Sequence, residues 1–307
     1  MIKTESPFIL FLHIPKTAGT TLRSVADLQF GRKNVITYYH QKSADTLNNL
    51  DYMLRDERHD YRALIGHFRF GVHENLSQPA RYVTFLRDPV SLTISAYNER
   101  RKTFTAEFEK PDGSMKSIEE HLAVNRIAYA NLQTKLVAGS PSEATATEED
   151  LERAVENLDR HFALAAPTTR FDEALLLLSS RLGWRPCLYG TFNKGPSHEF
   201  ASPEVHQLIE SMCGLDRRLL EYAARKFETG IEGTGPLFAD ALADIRQARG
   251  DPPNFRRRPD DLTFGPRAQP CRMSRWRSNG CRNAQIHARC ARHILAIARS
   301  LRPVRKS

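Results

Sequence analysis

Between Pro7 and Pro15 the chain runs Phe8-Ile9-Leu10-Phe11-Leu12-His13-Ile14, apolar at every position but one. A short apolar run bounded by prolines, with no polar alternation, predicts a strand buried on both faces. Such strands belong to parallel sheets covered by helices, and the rest of the chain fits that expectation. Further strands are predicted at Tyr61–Gly66, leading into His67, at Arg81–Leu86, ending in Arg87-Asp88-Pro89, and at Phe162–Ala166. Pro89 suits the first turn of a helix over Val90–Lys102. Glu148–His161 carries Leu151, Val155 and Leu158 at amphipathic spacing. Phe171–Leu182 reads as a strongly apolar helix, and Pro203–Cys213 and Asp216–Glu228 as two more. Strands alternating with helices predict an α/β fold with a largely parallel sheet.

The charge is unevenly placed. The 307 residues hold 45 Lys+Arg against 36 Asp+Glu, a net of +9, which at first suggests a nucleic-acid partner. Residues 250–307 alone contain 14 Lys+Arg and 3 Asp+Glu, a net of +11, so residues 1–249 stand near −2. Composition breaks at Arg249-Gly250-Asp251-Pro252-Pro253, predicting a working domain over 1–249 and an Arg-rich tail over 250–307. The tail is either disordered or, over Cys281–Arg302, a basic helix able to touch an anionic membrane or nucleic acid. It also holds Cys271, Cys281 and Cys290, but their spacing lacks the close pairs of a structural zinc site. Five scattered cysteines fit a reducing compartment. Met1–Ser6 carries an acid, no small-residue cleavage site follows Ile14, and no apolar run reaches the roughly 20 residues of a membrane span. A cytoplasmic protein is predicted, with membrane association through the basic tail as a further option.

Two loops carry the chemistry. After the first strand comes Pro15-Lys16-Thr17-Ala18-Gly19-Thr20-Thr21, then sequence suited to a helix from Leu22 to about Phe30. Backbone N–H groups at a helix start favour an oxyanion, Gly19 permits close approach, the threonines offer hydroxyls and Lys16 a compact charge. Thr20 or Thr21 would also serve as a plain helix cap. No Gly-Lys-Ser/Thr occurs in the chain, so this is not the nucleotide-triphosphate P-loop and a phosphotransferase reading is weakened. Arg87 ends another predicted strand, where ligands of parallel sheets collect, and Ser95 lies about two helical turns on. Arg87 offers a fork suited to phosphate.

Together the loops resemble those of the sulfotransferases. Phe11–Leu22 is similar to their 5′-phosphosulfate loop, and Val83–Pro89 with Ser95 and Tyr97 to their 3′-phosphate loop. The wording is similar to the branch of heparan-sulfate 2-O-sulfotransferases and their bacterial relatives, with further matches at Ile65-Gly66-His67-Phe68 and Thr169-Arg170-Phe171-Asp172-Glu173. The resemblance covers roughly residues 7–230. It implies a P-loop-like three-layer fold, with a central, mostly parallel sheet flanked by helices. It also implies the sulfate donor 3′-phosphoadenosine 5′-phosphosulfate (PAPS), with no metal needed, and a hydroxyl-bearing acceptor, most plausibly a glycan.

On that resemblance Lys16 meets the 5′-phosphosulfate and steadies the leaving phosphate. Thr17, Ala18, Gly19, Thr20 and Thr21 line the same loop, and Arg87 with Ser95 holds the 3′-phosphate. His67 is the expected general base: it follows a strand, and imidazole titrates near working pH. The family's glycan branch often has a second histidine two positions earlier, where this chain has Ile65. His13 is the alternative base, or a residue that orders the loop. Glu99, Arg100 and Arg101 read first as a solvated helix face, and Asn193-Lys194-Gly195 as a loop returning to the nucleotide. The acceptor is expected in the loops Leu28–Arg58 and Lys102–Ser117. A catalytically inert binding protein acting through its basic tail is the remaining alternative.

Overall fold

A computed structural model describes residues 6–39, 47–56, 58, 60–184, 202–234 and 236–250. The Asn193-Lys194-Gly195 loop, Cys271, Cys281 and Cys290, and the tail beyond 250 lie outside the described residues.

Five parallel strands form the sheet: β1 (Phe8–Leu12), β2 (Val35–Tyr38), β3 (Ala63–Gly66), β4 (Ala80–Leu86) and β5 (Phe162–Pro167), in the order β2-β3-β1-β4-β5. Among the described residues the helices of seven residues or more are α1 (Gly19–Phe30), α2 (Pro89–Thr103), α3 (Ile118–Tyr129), α4 (Leu132–Ala138), α5 (Glu148–Arg160), α6 (Phe171–Leu182), α7 (Pro203–Met212), α8 (Gly214–Glu232) and α9 (Pro236–Gly250). The α/β expectation therefore holds. Every residue of β1 is buried, as its continuous apolar run requires of a central strand.

The two faces of β1 meet different neighbours. Phe8, Leu10 and Leu12 join a core with Leu151, Ala154 and Leu158 of α5 and with Leu219 and Ala223 of α8. Phe11, pointing the other way, packs edge-on to Phe30 of α1, ring centroids 6.5 Å apart. Each buried aliphatic side chain stabilises the fold by about 1.5–3 kcal/mol. Helix starts are fixed locally: Ser117 and Glu120 form a capping box for α3, and Thr147 and Asp150 one for α5.

By internal contacts the chain divides into two units. The first is Met1–Ala174 with Thr191–Gly230 and holds the whole sheet. The second is Leu175–Gly190 with Ile231–Ser307, in which the described residues form the end of α6, the last residues of α8, and α9.

The stretch Leu28–Arg58, expected as an acceptor loop, instead contains the end of α1, strand β2 and a short helix at Leu50–Leu54. Val35 and Ile36 are buried, so this segment completes the sheet edge. Lys102–Ser117 holds a helical turn, Thr105–Phe108, and an antiparallel bridge between Glu109 and Met115.

Candidate active site

Register decides which side chains meet. Leu12 of β1 pairs with Gly66 of β3, and Leu86 of β4 with Pro167 of β5, so the segments after all four strands emerge at one edge. The chain leaves β1 toward β2 on one side and leaves β4 toward β5 on the other. The reversal falls at β1 and β4, where doubly wound sheets leave a crevice. The Thr84 hydroxyl donates to the Leu12 carbonyl at 2.8 Å, fastening the two strands there.

The loop after β1 is strained and uncapped. Lys16 and Ala18 sit at φ +68° and +64°, left-handed values that cost a non-glycine residue on the order of 1 kcal/mol or more. Thr17 holds the bend from inside: its amide and its hydroxyl both donate to the Ile14 carbonyl, at 3.2 and 2.7 Å. That corrects the expectation that Thr17 offers its hydroxyl to a ligand, because the group is buried and does not line the crevice. Ala18 takes the N-cap position of α1 and supplies no side-chain cap, so the positive end of the helix opens onto the crevice. Gly19 is needed for a reason the motif did not show. A Cβ there would lie 1.8 Å from Cε1 of His13, whose ring fills the space.

Arg87 arrives from β4 beside this loop, and its Nη1 donates to the Lys16 carbonyl at 2.9 Å. Its backbone is clamped from a distance: Arg87 N donates to Gln133 Oε1 at 2.9 Å, and Gln133 Nε2 to the Arg87 carbonyl at 2.8 Å. Gln133 opens α4, whose first turn is capped by the fully buried Asp216, accepting from the Gln133 and Thr134 amides at 3.2 and 2.7 Å. Burial pushes the Asp216 carboxyl upward, against those donors. Asp88 accepts from the Ser91 amide at 2.8 Å and Pro89 follows, a cap and first-turn pair that starts α2. Ser95 lines the crevice from that helix, whereas Tyr97 is buried and donates to the Lys116 carbonyl at 2.8 Å.

His67 follows Gly66, and its Nδ1 lies 2.8 Å from the His13 carbonyl. A carbonyl only accepts, so Nδ1 carries the proton and the neutral ring keeps its lone pair on Nε2. His13 stacks against His67 with ring centroids 4.7 Å apart, and Tyr39 sets its edge on both rings. The His13 ring nitrogens have no hydrogen-bond partner among the described residues. Burial, then His67 and Lys16, lower its pKa to about 3. It is uncharged at neutral pH and too weak a base for the proton transfer once considered for it.

That depression has a measurable consequence. Between pH 6.5 and 3 the unfolded chain binds a proton at His13 that the folded chain excludes. Stability is therefore fully present above about pH 6.5 and falls with acidification, by on the order of 4 kcal/mol at the lower limit. Urea unfolding at pH 7 and pH 4 should show a smaller acid loss in His13→Gln than in the natural chain; equal losses would refute the assignment.

The crevice holds about 540 Å³, within the range of small-molecule sites. Lys16, Ala18, Gly19, Thr20 and Thr21 line it from the first loop; Arg87 and Ser95 from the second, and His67 at the third. Burial lowers the Lys16 pKa, with Arg87 and Lys102 adding to the effect. Glu99 answers that crowding of positive charge with an ion pair to Lys16. Glu99 is exposed, as its reading on a solvated face expected, and its carboxylate also borders the cleft; Arg100 turns away to Glu107 at 3.1 Å and Arg101 lies over the Tyr97 ring. His13, Ser91, Thr168 and Thr169 also line the cleft. The two threonines follow β5, so strand-end position was the signal for them, while Gln133 had none. Arg170 pairs with Glu173 and Glu228, a structural use of the Thr169–Glu173 motif. Among the described residues no group of three or more His, Cys, Asp or Glu side chains could hold a metal.

The profile of the Galactose-3-O-sulfotransferase family matches residues 3–251. The galactosylceramide sulfotransferase of Bos taurus is 25% identical over 268 residues, covering 78% of this chain and 62% of that protein. That of Mus musculus is 24% identical over 269 residues, with the same two shares, 78% and 62%. The chain thus spans less than two thirds of the length of the curated relatives it matches. A solved sulfotransferase from Alicyclobacillus acidocaldarius matches over 70% of this chain and 94% of its own, at 12% identity and a TM-score of 0.39. None of these is a heparan-sulfate 2-O-sulfotransferase, the branch suggested by the loop wording. A profile match that runs through the whole sheet, both cation-bearing loops and the Gly66-His67 turn means that the chain belongs to the galactose-3-O-sulfotransferase family.

Proposed function

We propose that this protein moves a sulfuryl group from PAPS to a hydroxyl of a galactose-bearing glycan or glycolipid. One observation carries the reading: Lys16 and Arg87, delivered by adjacent strands, meet at the uncapped start of α1 with His67 on the same cleft. A strained lysine loop, a helix N-terminus and a guanidinium in one nucleotide-sized space fit a donor bearing two separate anionic groups.

When bound, PAPS supplies a sulfuryl group on a phosphate that leaves with the electron pair of the broken S–O bond. Lys16 and the first turn of α1 stabilise the charge on that phosphate oxygen. Arg87 and Ser95 hold the 3′-phosphate, and Thr20 and Thr21 add hydroxyl contacts. His67 Nε2 takes the proton of the acceptor hydroxyl as its oxygen bonds to sulfur. His13 stays neutral and orients His67 through its carbonyl. All these residues fall within 1–249. The galactose assignment follows the family and the galactosylceramide enzymes that this chain resembles, in place of a heparan acceptor.

Calorimetric titration with the product nucleotide, 3′-phosphoadenosine 5′-phosphate, is the direct test. Binding about tenfold or more tighter than AMP is expected, since the 3′-phosphate adds a charge-assisted contact to Arg87. Equal affinities, or no binding, would sink the donor assignment.

A further inference from the structure

A second cleft, of about 910 Å³, opens beside the first, and among the described residues His67 alone lines both. Its walls come from the end of β2, the segment after β3, the turn after α4 and one side of α5. We propose that this cleft is the acceptor site and that it takes an uncharged, hydroxyl-rich sugar. The inference rests on the donor reading given above.

Position is the first argument. A base that removes a hydroxyl proton while the oxygen attacks sulfur must touch acceptor and donor together. Among the described residues only His67 lines both spaces, and its tautomer leaves the lone pair on Nε2.

Chemistry is the second. Asn48, Asn75 and Asn157 present amides and Glu74 a carboxylate, groups that bracket hydroxyl pairs by giving or accepting hydrogen bonds. The Asn157 amide is fixed by donating to the Val137 carbonyl at 2.9 Å. Tyr38 and Phe70 add apolar ring surface for the C–H face of a sugar.

Charge separates sugar classes. The formal charges on the lining are Arg69 and Arg153 against Glu74, and Arg153 is ion-paired with Asp150. A polyanionic glycan calls for a run of cations. Among its described lining residues this cleft offers two, one of them already paired, against one carboxylate.

The wall is also held in place before any ligand arrives. Phe70 N donates to the Leu136 carbonyl at 2.9 Å, and the Gly71 and His73 amides donate to the buried Tyr82 hydroxyl at 3.3 and 3.1 Å. A fixed wall lowers the ordering cost of binding.

Asn75→Ala and Glu74→Gln alter exposed side chains and should leave the fold intact. The full chain is assayed with lactose as the uncharged probe and unsulfated heparosan as the anionic one. Three quantities are read: KM for each acceptor, product-nucleotide affinity by calorimetry, and saturation transfer from protein to lactose by NMR. The expected result is a rise in lactose KM of about tenfold in each variant, with nucleotide affinity within about twofold of the natural chain. The lactose NMR signal should fall in parallel, and heparosan should be the poorer acceptor. Unchanged lactose KM and NMR signal in both variants would overturn the inference and leave the donor reading standing, as would a preference for heparosan. Failure of the natural chain to bind the nucleotide, with a lactose signal that still depends on Asn75 and Glu74, would remove the donor reading and retain the sugar site.

Discussion

Lys16→Ala is expected to lower kcat/KM for sulfuryl transfer by about 10²–10³, the usual effect of removing one preorganised group that stabilises developing charge. The ammonium is half-buried beside Arg87, where its charge is costly unless an anion or Glu99 answers it. The loop adds a diagnostic. Lys16 is left-handed at φ +68°, so Lys16→Gly should relieve strain and raise stability by a few tenths to about 1 kcal/mol while losing the same activity. Stability gained together with activity lost is the mark of a residue kept for chemistry. Thermal melting and steady-state kinetics on both variants make the check, and full activity in either would refute the role. Arg87→Ala should act differently. It removes the guanidinium that ties to the Lys16 carbonyl, so product-nucleotide affinity falls along with turnover.

His67→Ala should lower kcat by about 10²–10⁴, the range for a positioned general base. Donor binding should survive, because the charged contacts come from Lys16, Arg87 and the start of α1. A loss confined to nucleotide affinity, with kcat kept, would show that His67 shapes the donor cleft instead. Single-turnover kinetics beside calorimetry separate the two outcomes.

Much of this site was legible in local sequence. The Phe8–Ile14 run could only be a central strand, and Lys16, Arg87 and His67 each stood just past a predicted strand. Parallel topology then brings such positions to one edge. Other features depended on contacts far along the chain. Gln133 clamps Arg87 across 46 residues, and nothing in Asn131-Leu132-Gln133 announces it. Val35–Tyr38 is only four residues long, and its three β-branched residues were lost inside a stretch taken for a loop. Thr17 shows the opposite error, since a hydroxyl in an anion loop was read as a ligand donor when the bend itself needed it. Glu99 is solvated as read, but helix periodicity could not show that its carboxylate also pairs with Lys16 at the cleft.

The pairing of Gly19 with the His13 ring reaches further than loop packing. His13 hangs from the end of β1, its amide bonds to Gly66 at 2.9 Å, its carbonyl holds His67, and its ring fills the hollow that Gly19 leaves. The start of α1 and the imidazole of His67 are therefore braced against the same side chain. Their alignment is set when β1 and β3 zip together, as an outcome of folding that no ligand has to induce. A side chain at position 19 would shift both parts of the machinery at once, so drift at this glycine strikes donor geometry and proton transfer in a single step.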